Sequence, residues 1–304
     1  MAIGMYLREI GRGKDGARGL SRAQATDLWG QLLDGAVSDL EVGAFCLAMR
    51  IKGESAEEMA GFLDATAQRL HLLPASARPV VVIPSYNGAR KLPGLVPLLA
   101  LLLARAGHPV LIHGTATENS RVFTAQVLAA LGILPRTPEA PLQAGEVGFV
   151  PTAALHPGLQ KLLDVRRVVQ LRNSAHSLVK LMNPCAGPSL LVCSYTHPEY
   201  AVSMAATLQL QSANALLLRG TEGEAVAVAR RAPKMQGFLN GAPVELSEAQ
   251  VGSLATLPML PSAIDAASTA AYIRAVLDGA QPVPAPISQQ VAHIGHLISR
   301  IASP

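Results

Sequence analysis

The groups in this 304-residue chain best suited to chemistry are fixed positive charges gathered in three places. Between His156 and Pro184 stand Lys161, Arg166, Arg167, Arg172 and Lys180, opposed in sequence by Asp164 alone. Arg90 and Lys91 close a short polar stretch that also holds Ser85, Asn87 and Gly88, and Arg219, Arg230, Arg231 and Lys234 flank a Gly-Thr-Glu-Gly turn at 220–223. Guanidinium groups match phosphate oxygens two at a time, and cations that neutralise a phosphate backbone release counterions, so such binding weakens with salt. Ser85, Asn87, Arg90 and Lys91 alone would also suit a small phosphorylated metabolite, and a basic run such as 161–180 can equally be a solvated helix face. Glu222 and Glu224 lie close together and could hold a cation weakly. Cys46, Cys185 and Cys193 are scattered without metal-ligand spacing, which predicts no bound metal, no disulfide framework and a reducing, cytoplasmic setting.

The elements that position these groups follow from periodicity. Apolar residues at helical spacing run from Ser21, a suitable N-cap, to Asp34 before Gly35. A second helix opens at Asp39 with Val42, Phe45, Cys46 and Met49 on one face, and Ser55 with Glu58 forms a capping box for a third running to about Leu72. After a proline-bounded linker at 74–79 the texture changes. Short apolar strands at 80–83, 110–112, 190–194 and 215–218 alternate with helices, including about 95–106 and 119–131, which predicts a mainly parallel sheet. Ligands of such sheets bind beyond the carboxyl ends of the strands, so the loops 84–94, 113–120 and 219–234 are the place to look. A last helix is expected over about 287–301. The predicted organisation is α/β with an N-terminal helical domain, 1–74, joined by helices within about 160–184, and a larger α/β domain, 78–304. Half the residues are hydrophobic, enough for a sizeable core, yet the longest apolar stretch is about nine residues against the ~20 a membrane span needs. Charges at Arg8, Glu9 and Arg12 argue against a signal peptide. The net charge of +4 permits anionic partners without requiring them.

Residues 39–61, DLEVGAFCLAMRIKGESAEEMAG, resemble the helical segment of anthranilate phosphoribosyltransferases and the related pyrimidine nucleoside phosphorylases, and 155–184 follows the transferases' HPAM, VRREL, RT, NP pattern without a gap. The resemblance spans about residues 4–280 and implies a helical domain on an α/β domain, dimerising through the helical part. The motifs that hold substrate in that family are altered here. Its GTGGD loop, a nest of backbone N–H groups for pyrophosphate, falls on Pro84, Ser85, Tyr86, Asn87 and Gly88. Its Asn-x-Ser-Thr falls on Gly94, Val96 and Pro97, and in its KHGN turn only His113 and Gly114 survive, between Ile112 and Thr115. Its magnesium-gathering Asp-Glu pair falls on Ala225 and Val226. A phosphoribosyl donor carries several negative charges and needs metal as its pyrophosphate departs, so ordinary transfer is not expected.

The replacements PSYNGAR (84–90), RNSAH (172–176) and GTEGE (220–224) resemble a non-catalytic branch of the same superfamily, the YbiB-like proteins, associated with nucleic-acid binding. That resemblance implies a homodimeric, sequence-nonspecific binder of nucleic acid, single-stranded DNA or RNA, without cofactor, metal or catalytic residues. Arg90, Lys91, Lys161, Arg166, Arg167, Arg172 and Lys180 are its expected phosphate contacts. Ser85, Asn87, Gly88, His113, Gly114, His156, Asn173, His176 and Glu222 are expected to line the pocket, with His156 and His176 in structural hydrogen bonds. Arg166 matches an arginine that contacts anthranilate in the enzymes, and with His113 and His156 it keeps open a phosphoribosyltransferase of altered donor or acceptor. Tyr86 is the single aromatic of the first loop, which points to backbone contacts over base stacking.

Overall fold

The computed structural model describes residues 3–13, 15–253 and 257–301. Three capped helices build the first layer: α2 (Arg22–Leu33), α3 (Asp39–Lys52) and α4 (Ala56–Ala67), preceded by the short α1 (Gly4–Ile10). Ser21, Ser38 and Ser55 each cap the N3 amide while Gln24, Glu41 or Glu58 returns a hydrogen bond to the cap, so all three are capping boxes. Asp39 is therefore the first helical residue and Ser38 the cap. Helix α4 stops at Ala67, earlier than the expected Leu72. Trp29, Phe45 and Phe62 close the layer's interior, with Trp29 stacked on Phe62 at 4.6 Å between ring centres.

Beyond the linker, strands β1 (Val80–Ser85), β2 (Val110–Gly114), β3 (Val147–Pro151), β4 (Ser189–Tyr195), β5 (Ala215–Arg219), β6 (Met235–Leu239) and β7 (Ala242–Ser247) form one sheet in the order β3-β2-β1-β4-β5-β6-β7. The first five are parallel to their neighbours, and β6 and β7 add an antiparallel hairpin. Side chains alternate between two apolar layers. Val80, Val82, Leu111, Leu191, Cys193 and Leu217 face the helical layer, joined by α8 (Pro157–Val169), α9 (Ser174–Leu178) and α10 (Pro198–Leu210). Val81, Ile83, Val110, Ile112, Val192 and Leu216 face α5 (Val96–Arg105), α6 (Thr124–Ala130), α11 (Ala266–Leu277) and α12 (Ala285–Ile298). Burial on both faces explains why the strands read as unbroken apolar runs. Two boundaries shift: α6 begins at Thr124, leaving 119–123 in a loop, and α12 runs Ala285–Ile298 where 287–301 was expected. The one-turn α7 (Thr152–Leu155) leads from β3 to α8.

The parallel strands β1, β2, β4 and β5 point their carboxyl ends the same way. The loops 84–94, 113–120 and 219–224 and the segment around α8 and α9 therefore meet there, as the hydrogen bonds below show.

Candidate functional site

The loop after β1 is a backbone nest, and the protein fills it with its own carboxylates. Glu224, 3% exposed, accepts hydrogen bonds from Asn87 N (2.5 Å), Gly88 N (2.7 Å) and Ser85 Oγ (2.5 Å). Glu222 accepts from Arg90 N (2.7 Å) and Lys91 N (3.0 Å), with Leu92 N at 3.4 Å. Two carboxylates thus take the N–H groups of residues 87, 88 and 90–92, while Ala89 N donates to Val122 O (2.7 Å), and charge-assisted bonds of this kind are among the stronger ones. The weak cation site expected at Glu222 and Glu224 is corrected by this geometry: both face donors. Among the described residues no group of three or more His, Cys, Asp or Glu could hold a metal ion.

The chain from β5 folds back to reach the nest only because it carries glycines. A Cβ on Gly223, at φ +86°, would lie 1.9 Å from Asn87 Nδ2, and one on Gly220 would lie 1.9 Å from Glu224 O. Asn87 Nδ2 donates to Glu222 O (2.9 Å), while Ser194 Oγ and Lys180 Nζ donate to Gly223 O at 2.8 and 3.2 Å. The remaining positions where the resemblance expects phosphate or metal ligands are structural. Pro84 is in β1, Val96 and Pro97 begin α5 in the core, and Ile112, Ala225 and Val226 are buried.

His113, His156 and His176 each make hydrogen bonds that serve the fold. His113 is buried, with Nε2 3.1 Å from Met182 O and Nδ1 2.8 Å from Tyr86 Oη, which also accepts from Thr152 Oγ1 at 3.0 Å. An Nε2–H tautomer satisfies all of these, and burial pulls the imidazole pKa down to about 3, so it is neutral. This relay removes Tyr86, 3% exposed, from any stacking role. His156 Nδ1 caps α8 by accepting from Leu159 N (3.1 Å). Asn173 caps α9 through Ala175 N (3.1 Å) and its Nδ2 donates to Leu162 O (2.7 Å), while His176 Nδ1 lies 3.3 Å from Asn173 N. Gly114 lies at the end of β2, against Ser85 O of β1.

The cations divide into paired and unpaired. Arg166 pairs with Glu118 (3.1 Å), which Arg121 also holds at 2.7 Å; burial pushes that carboxyl up, but the two arginines outweigh it and leave it below the usual range. Arg167 pairs with Asp164 (3.0 Å) and donates to Ala116 O (2.8 Å), tying α8 to the loop after β2. Among the described residues Arg172 reaches only Asn87 Oδ1 at 3.5 Å, and its pKa is lowered by burial and by the neighbouring Arg166 and Arg121. Arg90, Lys91 and Lys161 are exposed, and among the described residues none of these three has a carboxylate within ion-pair distance. Lys180 is half-buried; burial lowers its pKa to about 8 against the attraction of Glu224. Lys234 is committed to Glu248 (2.8 Å) and Arg231 to Gly252 O (2.9 Å). Glu118 and Arg121 carry no signal in the sequence, because their importance comes from a contact with Arg166 that no spacing announces.

The fold and these loops define a member of the anthranilate phosphoribosyltransferase superfamily, and the comparisons agree. Residues 5–69 match the glycosyl transferase family helical bundle domain. The anthranilate phosphoribosyltransferase of Symbiobacterium thermophilum is 33% identical over 71% of this chain and 64% of its own length. The anthranilate phosphoribosyltransferase structure from Thermus thermophilus superposes with a TM-score of 0.71 over 96% of this chain and 87% of that one, at 24% identity, a likeness of fold. YbiB of Escherichia coli (strain K12) is 40% identical over 94% of this chain and 91% of its own. The chain belongs to the YbiB-like family of that superfamily.

Proposed function

We propose that this protein binds nucleic acid through the phosphate backbone, without sequence preference and favouring single strands, on a transferase frame whose donor site is closed. One observation carries the reading: Glu222 and Glu224 occupy the nest, while Arg90 and Lys91, whose amides Glu222 holds, turn side chains to solvent that have no ion-pair partner among the described residues. The backbone is thus fixed by internal anions and the side chains remain free for external ones. Arg172 and Lys161 extend the unpaired set, and Arg166 and Arg167 border it. A homodimer through the helical layer would place two such edges on one strand. Met5, Leu40, Leu47 and Ile51 support it, being exposed apolar residues on α1 and α3 with Leu40 83% exposed. Three free cysteines suit the cytoplasm.

The test is fluorescence anisotropy with labelled single- and double-stranded oligonucleotides across a salt series. Binding should fall steeply with salt, and R90A/K91A should reduce the log–log slope by roughly one for each phosphate no longer neutralised. Salt-insensitive binding, or an unchanged slope in the double variant, defeats the proposal.

A second reading, a phosphoribosyltransferase with altered substrates, is favoured by the relatives' names and by Arg166 in the position that resembles the anthranilate contact. Release of pyrophosphate on incubation with phosphoribosyl pyrophosphate, magnesium and candidate acceptors would establish it. A complete lack of turnover across aromatic amines and nucleobases would leave the first reading standing.

A further inference from the structure

A cleft of about 420 Å³ opens between the helical layer and the carboxyl end of β4. It is distinct from the filled nest, since neither the 85–92 loop nor the two nest carboxylates line it. Its size is that of sites for small organic molecules. The two walls differ in chemistry. The helical side brings Arg50 from the end of α3, Arg172 and His176 from the start of α9, and Lys180 from just beyond it. The sheet side brings Tyr195 at the end of β4 and His197 and Tyr200 at the start of α10. The last two rings lie 6.3 Å apart at 50°, and both are exposed.

Two features call for an anion. Among the described residues Arg50, Arg172 and Lys180 have no carboxylate within ion-pair distance, and the polar contacts of the last two are the weak ones to Asn87 Oδ1 and Gly223 O. His176 is 8% exposed, and its Nε2 is buried without a partner among the described residues, although a buried polar nitrogen normally has one. Glu54, the carboxylate of the lining, accepts from Ser174 Oγ at 2.6 Å and sets one negative charge against the three cations. Inorganic phosphate would fill a fraction of the volume and leave the ring-bearing wall unused, whereas a phosphate carried on a sugar and a planar base uses both walls. Bases stack on aromatic rings whatever their identity, each contact contributing about 1–3 kcal/mol.

We propose that this cleft seats one nucleotide, its phosphate on Arg50, Arg172 and Lys180 and its base against Tyr195, His197 and Tyr200. The nucleotide is either a free nucleoside monophosphate or one residue of a bound single strand. The seat deepens the nucleic-acid reading by adding a reason for single-strand preference, because a base must leave a duplex to enter it. The second source, a free nucleotide, does not depend on that reading.

The experiment is calorimetric titration of the full chain with the four nucleoside monophosphates, the matching nucleosides and inorganic phosphate. One-to-one binding of at least one monophosphate is expected, with its nucleoside and inorganic phosphate each at least about tenfold weaker. Arg50→Ala and Tyr200→Ala alter exposed side chains that the fold does not need. The first should weaken binding about tenfold, the scale of one charge-assisted hydrogen bond, and the second several-fold. Arg300→Ala, an exposed charge just beyond α12, should leave it unchanged. Competition by a single-stranded oligonucleotide assigns the seat to the strand; absence of competition assigns it to the free nucleotide. Failure of all four monophosphates to bind, or equal affinity in wild type and both cleft variants, overturns the seat even if oligonucleotides bind. Monophosphate binding without any oligonucleotide binding keeps the seat and overturns the backbone reading instead.

Discussion

Replacing Glu224 by alanine should destabilise the protein more than the loss of any exposed charge. The carboxylate is buried and serves three donors, Asn87 N, Gly88 N and Ser85 Oγ, all within 2.7 Å. Removing it leaves two buried backbone N–H groups with no acceptor, each costing about 1–3 kcal/mol, while Ser85 can turn to Thr124 Oγ1 at 2.7 Å. Lys180 also loses its opposing charge. The combined cost should be about 3–5 kcal/mol, a large part of a typical folding free energy. Glu224→Gln keeps an oxygen for the two amides and gives up only the charge, so about 1–2 kcal/mol is expected. Urea unfolding followed by far-ultraviolet circular dichroism and by the single tryptophan, Trp29, reports on both layers. The alanine variant, with the Asn87–Gly88 half of its nest vacated, should be stabilised by added inorganic pyrophosphate, and wild type should not. An alanine variant within about 0.5 kcal/mol of wild type would refute the claim that this carboxylate fills the nest.

Two further outcomes follow from particular groups. His113 and His176 have pKa values near 3 in the fold against the ordinary 6.5, so the unfolded chain binds more protons between those values. Stability should therefore fall as pH drops from 6.5 toward 3, by on the order of 1 kcal/mol per pH unit for each, and His113→Asn should flatten that slope in acid-titrated unfolding curves. Leu47→Lys, on the exposed apolar face of α3, should convert a dimer to a monomer in light scattering; a dimer in both would place the contact elsewhere.

Much of the framework could be read from the sequence because it rests on local rules. Ser55 and Glu58 announced a helix start, and the unbroken runs at 80–83 and 215–218 announced strands buried on two faces. Pro84, Ile112, Ala225 and Val226 stood out in the sequence because proline and aliphatic side chains cannot supply the N–H groups, charge or carboxylates that the resembling motifs carry at those places. The β6–β7 hairpin was missed although Asn240–Gly241, both at positive φ (49° and 78°), is a two-residue turn signature. The short β3 was missed because five residues containing Gly148 show no pattern. The role of Glu222 and Glu224 was out of reach for a different reason. Each acts on a loop more than 130 residues earlier in the chain, and such pairing is set by how β5 and β1 are placed in the sheet. The cleft's ring-bearing wall was hidden likewise, since Tyr195, His197 and Tyr200 gain meaning only opposite Arg50 and Arg172.

The central claim is that the transferase frame keeps its shape while its own carboxylates close the phosphate nest. Calorimetric titration of wild type with phosphoribosyl pyrophosphate, with and without magnesium, tests it most directly. No magnesium-dependent binding is predicted for wild type, and measurable pyrophosphate-group binding is predicted once Glu222 and Glu224 are both replaced by alanine. Tight, magnesium-dependent binding to the wild-type protein would contradict it.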